Sequence, residues 1–153
     1  MVAFKTFTLG LGIVALVGAG CGDNQDPAAA DAFWEKIHSL DYEAWSRAPG
    51  FEVRRESAAP HGGAVEIYVN PVVEAAITEA KPLSEWPLDA LIVKNGFDDD
   101  ALTLVAAMEK REDGWFWAEY DEGGAAKYSG KPDLCVDCHQ AGTDFTRAFA
   151  LPL

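Results

Sequence analysis

Apolar positions along this chain switch between two periods, and the switches mark out the elements. Over residues 31–48, Phe33, Trp34, Ile37, Leu40, Ala44 and Trp45 recur at the spacing of a helix with one buried stripe. Asp31 stands at the N-cap of that run, and Pro49-Gly50 ends it. Ser39-Leu40-Asp41 is a point where it divides into two short helices, with Asp41 capping the second. The period then falls to two. Val65, Ile67 and Val69 alternate with Glu66 and Tyr68, which predicts a strand over 64–70. Asn70-Pro71 reads as N-cap and first residue of a short helix running to residue 80. Residues 88–95 form a near-continuous apolar run, as expected of a strand covered on both faces, and Asp98-Asp99-Asp100 closes it as a solvated turn. Residues 101–111 and 115–121 are two further strands, joined through Glu112-Asp113-Gly114 as a β-hairpin. The pattern predicts an α+β fold: a mainly antiparallel sheet of about four strands, an N-terminal helix, a short middle helix and a C-terminal segment.

The first twenty residues do not belong to this pattern. Lys5 precedes an apolar run from Leu9 to Val17, and Gly18, Ala19 and Gly20 follow it. The run is too short for a membrane span and ends in small residues, so residues 1–20 read as an export signal. Cys21 stands directly behind it, as in a lipoprotein signal, although Gly18 occupies a position where Leu is usual. Lipidation at Cys21 would anchor the chain in the cell envelope. The rival is cleavage after Ala19, which leaves a soluble periplasmic protein with a thiol near its start. Residues 21–31 are small and polar and read as a tether, which leaves 32–153 as one domain.

The 153 residues carry a formal net charge of −13, and loss of the signal removes a further lysine. No basic patch is present to meet nucleic acid or an anionic membrane, so both are disfavoured as partners, and any membrane contact runs through the lipid anchor. Acidity favours solubility, and it suits docking to a basic redox partner.

Chemistry concentrates near the C-terminus, at Cys135-Val136-Asp137-Cys138-His139. C-x-x-C-H is the attachment signature of a c-type haem. Two thiols at this spacing reach the two vinyl groups on one porphyrin edge, and the following imidazole, His139, binds the iron from the proximal side. The competing readings are two structural cysteines and a thioredoxin-type redox pair, but the βαβ setting of the latter is missing. The predicted cofactor is one haem c, held by Cys135 and Cys138 and ligated by His139.

Six blocks extend this reading along the chain. Pro60-His61-Gly62, Val65-Glu66-Ile67-Tyr68-Val69-Asn70, Leu91-Ile92-Val93-Lys94, Met108-Glu109-Lys110-Arg111, Gly114-Trp115-Phe116-Trp117-Ala118 and the segment from Cys135 to Gln140 resemble the cytochrome P-460 family in order and spacing. That family also contains the cytochromes c′-beta. The resemblance covers residues 32–150 and implies an exported, often dimeric, mainly β protein with a five-coordinate haem and an open distal site. It also implies a role for Lys94. In hydroxylamine-oxidising members a lysine at the matching position is linked through its amine to a porphyrin meso carbon. The bland alternative is a lysine that ends a buried strand and reaches solvent.

Catalytic members place a carboxylate over the distal face to relay protons. The strand aligned with it here reads Leu104-Val105-Ala106-Ala107-Met108, so Glu109 is the candidate acid, and otherwise the pocket is apolar. Asn95 follows Lys94 where the family commonly has an acid. Sixth ligands are limited to His38, His61, Met108 and lysines, with His61 read as a turn residue of structural or propionate-side role. Three functions follow: oxidation or reduction of hydroxylamine or nitric oxide, nitric oxide capture without turnover, and simple electron transfer.

Overall fold

A sheet built almost entirely from sequential hairpins carries the molecule. The computed structural model describes residues 25–58, 60–79 and 81–152, so the predicted export signal and Cys21 lie outside the described residues. In chain order the elements are α1 (Pro27–Ser39), a 3-10 turn (Tyr42–Ala44), β1 (Ser46–Arg47), β2 (Arg55–Glu56), β3 (Ala64–Val69), α2 (Pro71–Glu79), β4 (Leu91–Asp98), β5 (Ala101–Arg111), β6 (Gly114–Asp121), β7 (Ala126–Gly130) and α3 (Asp133–His139). The strands pair antiparallel in the order β1-β3-β4-β5-β6-β7, and β2 also pairs with β3. The α+β architecture expected from the pattern is the one observed, with seven strands among the described residues in place of about four.

Three boundaries move. The first helix starts at Pro27, not residue 31, because Asp26 caps it by accepting from the Ala29 N–H at 3.1 Å and Pro27 sits in the first turn. Residues 27–31 are therefore helical, and the Asp26 N–H donates to Ser129 O on β7 at 2.8 Å, so the expected tether does not extend through this part. The helix also stops at Ser39, well short of residue 48. Asp41 adopts φ +51 at the break, which falls where the sequence places a division, and Ser46–Arg47 leave to pair with β3. The apolar run at 88–95 becomes strand only from Leu91, because Asp89 turns at φ +64 and Leu88 is exposed.

The sheet separates two cores. On one side Ala30, Phe33 and Ile37 of α1 cover Val93, Val105, Phe116 and Tyr120. On the other, Val65, Ile67, Ile92, Met108, Trp115 and Trp117 pack beneath Val73 of α2, Trp86, and the C-terminal chain that carries α3. Side chains alternate across the sheet, so this second face takes the even residues of β4 and, past the bulge at Gly96/Phe97, of β5 from Leu104 on, and the odd residues of β6.

Candidate functional site

Strand register assembles the site. Lys94 lies opposite Ala106, and Ala106 opposite Glu119, so all three form one row on the second face. Ile92, Met108 and Trp117 form the adjacent row. Ala106 is small, and its methyl leaves open space between Lys94 and Glu119. The C-terminal helix α3 roofs that space, and Cys135, Cys138 and His139 line it with Lys94, His61 and Glu119, enclosing a cavity of about 300 Å³. A second cavity of about 520 Å³ adjoins it, sharing Lys94, His61, Cys138 and His139 and adding Thr146 and Arg147.

The ring of His139 is oriented by its backbone surroundings. Its Nδ1 lies 2.8 Å from Phe145 O. A carbonyl only accepts, so Nδ1 carries the proton and Nε2 keeps the lone pair that a metal needs. Burial pushes the imidazole pKa down, which favours that neutral form. Trp117 stands 6.3 Å from the His139 ring, centre to centre, and Phe145 packs on Trp117 at 5.8 Å. Arg147 Nη1 donates to Cys138 Sγ at 2.9 Å.

Lys94 is half-buried, and desolvation depresses its pKa, favouring the neutral amine. His61 comes from the turn before β3. That turn lies flat on β4 because Gly96 has no side chain: a Cβ there would sit 2.2 Å from His61 O. The turn delivers His61 to the cavity, 6.4 Å from the His139 ring, where its Nδ1 meets Glu119 Oε2 at 2.9 Å.

No family model, curated protein or solved structure matches the chain.

Of the sequence candidates, Lys94, Cys135, Cys138 and His139 share one cavity, and Met108 lines it as well. Glu109 does not. It is an odd residue of β5 and faces α1, where Lys36 Nζ and Arg111 Nε (2.7 Å) both donate to its buried carboxylate. An open depression of about 560 Å³ lies beside it, but these charges are already paired with one another. Asn95 likewise belongs to the α1 side and accepts from Tyr42 Oη at 3.0 Å. His38 packs on Trp34, with ring centres 4.0 Å apart, away from the cavity. The acid on the cavity side is Glu119, which the sequence reading missed. Its parity with Trp115 and Trp117 was the available signal, since all three share one face of β6.

Two buried polar atoms on the cavity walls lack a partner among the described residues, Trp117 Nε1 and Thr146 Oγ1. The site therefore offers two thiols, one imidazole with a free lone pair, a hydrogen-bonded Glu–His pair, an amine whose pKa burial lowers, and two polar atoms without a partner among the described residues.

Proposed function

We propose that the chain is an exported mono-haem c-type cytochrome resembling the cytochrome P-460 family, and that it oxidises hydroxylamine. Cys135 and Cys138 would hold the haem and His139 its iron. The donor set supports this fit: two thiols and an Nε2 lone pair open on one cavity of cofactor size, and the orphaned Trp117 Nε1 and Thr146 Oγ1 suit the carboxylates of a porphyrin. Bound haem supplies an iron that takes a small nitrogen ligand and accepts electrons, which pass on to a redox partner protein. Localisation in the periplasm or cell envelope, with Cys21 as a lipid anchor, is part of the same proposal.

The observation that carries the enzymatic reading is the Glu119–His61 pair. Hydroxylamine loses protons as it loses electrons, so an oxidising site needs a base within reach. By sequence the pocket is either apolar or dependent on Glu109; Glu119, linked to His61 at 2.9 Å, lines the cavity itself. Glu119 accepts at its oxygens, and His61 can pass a proton from one ring nitrogen to the other. Ile92, Ala106 and Met108 supply an apolar floor that limits water.

That same floor favours a second reading, nitric oxide capture without turnover. The test is direct. Protein matured with c-type export machinery is stained for haem on a denaturing gel, then assayed for hydroxylamine oxidation and nitric oxide binding. Turnover that falls in Glu119→Gln while nitric oxide binding survives supports the enzyme. Binding without turnover in the wild type selects the capture reading, and absence of covalent haem defeats both.

A further inference from the structure

We infer that Asp144 is a positioning residue for His139: it sets the turn that aims the Phe145 carbonyl at Nδ1, and so decides which ring nitrogen is left for a metal. The inference rests on His139 serving as a ligand, but its geometry stands on other residues.

Asp144 is a hub. Its Oδ1 accepts from Lys110 Nζ at 3.0 Å and from Trp115 Nε1 at 3.2 Å; its Oδ2 accepts from Lys110 Nζ at 3.0 Å and from the Trp86 backbone N–H at 2.8 Å. The carboxylate is thus tied to β5, to β6 and to the chain before β4. Lys110 also reaches Glu85 at 3.0 Å. Nothing about binding a cofactor requires these ties, because Asp144 does not line either cavity.

The backbone explains them. Asp144 has φ +42 and Phe145 has φ +62, two successive left-handed residues. Aspartate tolerates that region, whereas a bulky phenylalanine avoids it. Such a conformation persists only where its surroundings over-determine it, and it is found where a group must be aimed. Here the aimed group is the Phe145 carbonyl, 2.8 Å from His139 Nδ1. The turn is closed from behind by the Thr146 N–H on Thr143 O at 3.0 Å, and Gly142 leaves no room for a side chain, since a Cβ would lie 2.3 Å from Thr146 O. With the Asp144 carboxylate held by four hydrogen bonds from three groups, the carbonyl one residue on has little freedom. Outer partners of this kind fix ligand tautomers, and their loss typically costs roughly 10–100-fold in metal affinity or activity.

The test reads the tautomer directly. Protein labelled with 15N-histidine is examined by NMR as purified, in the diamagnetic carbon monoxide-bound ferrous form where it carries haem. Wild-type His139 should be protonated at Nδ1 alone. In Asp144→Ala the Nδ1–H should exchange with deuterium at least 10-fold faster and an Nε2–H form should appear wherever Nε2 is not metal-bound, while the β4 amides exchange as in the wild type. Asp144→Asn keeps a residue tolerant of the turn but turns a donor towards Lys110 and Trp86, so it should show the same acceleration to a smaller degree. It decides the matter if the alanine variant does not fold. Unchanged Nδ1–H exchange in a folded variant would overturn the inference and leave Asp144 a staple for the C-terminal chain. Absent haem would sink the functional proposal alone, because the Nδ1–H resonance is read with or without metal.

Discussion

Glu109 and Glu119 are both acids of the central strands, and replacing each with glutamine should give opposite phenotypes. Glu109 is 4% exposed in its side chain and holds two cations, Lys36 and Arg111. Hydrogen bonds to charged groups contribute about 1.5–3 kcal/mol, and stripping one partner from a fully buried pair costs about 3–5 kcal/mol. Here the cations are 45% and 34% exposed, so once released they return to water, and the pairing is worth less than in a sealed core. Glutamine preserves the volume and can still accept one bond. Glu109→Gln should therefore cost about 2 kcal/mol, lowering the melting temperature by roughly 5–10 °C for a domain of this size. Hydroxylamine turnover, measured below the transition, should not change. Glu119→Gln should do the reverse: melting close to wild type, and turnover lower by roughly 100- to 10,000-fold, the usual range for general acid–base catalysis. Thermal unfolding followed by circular dichroism, with a turnover assay on the same preparations, separates the two. Loss of turnover in Glu109→Gln at unchanged stability would refute the assignment of the two sheet faces.

Other perturbations test other parts of the structure. The tryptic peptide carrying Lys94 should bear a cofactor adduct by mass spectrometry, and Lys94→Ala should restore an ordinary c-type spectrum with both thioethers intact. Forming that carbon–nitrogen bond removes two protons and two electrons from the amine and ring carbon, which a peroxide-class oxidant would accept; an unmodified peptide would move the protein to the capture reading. Gly96→Ala drives a methyl into His61 O, so it should destabilise the fold by about 1–3 kcal/mol and reduce turnover by displacing the His61–Glu119 pair, read by melting and by assay. Burial pushes Tyr42 up to about 12 and raises Tyr68 and Tyr120 as well. An unfolded tyrosine titrates near about 10, so above that pH the unfolded chain loses protons that the folded chain keeps, and stability falls as pH rises. Tyr42→Phe should flatten that fall between about pH 10 and 12, and an unchanged slope by denaturant unfolding would contradict the burial argument.

The parts legible in the sequence are those whose signals are local. The Val65-Ile67-Val69 alternation, the Asn70-Pro71 helix start and the Asp113-Gly114 turn each act within a few residues, and β3, α2 and the β5–β6 hairpin stand where they predict. β7 was not legible, because Ala126-Lys127-Tyr128-Ser129-Gly130 has no apolar alternation and is ordered by pairing with β6. The site divides in the same way. Cys135, Cys138 and His139 are a contiguous motif, whereas choosing between Glu109 and Glu119 requires knowing which face the C-terminal chain covers. Met108 and Glu109 are neighbours and so point to opposite faces, and a one-residue uncertainty in register exchanges wall for core.

Among the described residues every strand of the sheet precedes Cys135 in the chain, and from β3 onward each pairs with the one just before it. Synthesis proceeds from the N-terminus, as would the proposed export, and hairpins between sequence neighbours close early. The row of Lys94, Ala106 and Glu119 therefore has no need of the two thiols to form. If the chain takes up haem as proposed, maturation would be an ordered assembly in which a finished half-site waits for its lid, and the cofactor would have to enter between sheet and α3 before residues 140–152 dock. Slowing that last docking step should raise the yield of attached haem, and hastening it should trap an empty, well-folded protein.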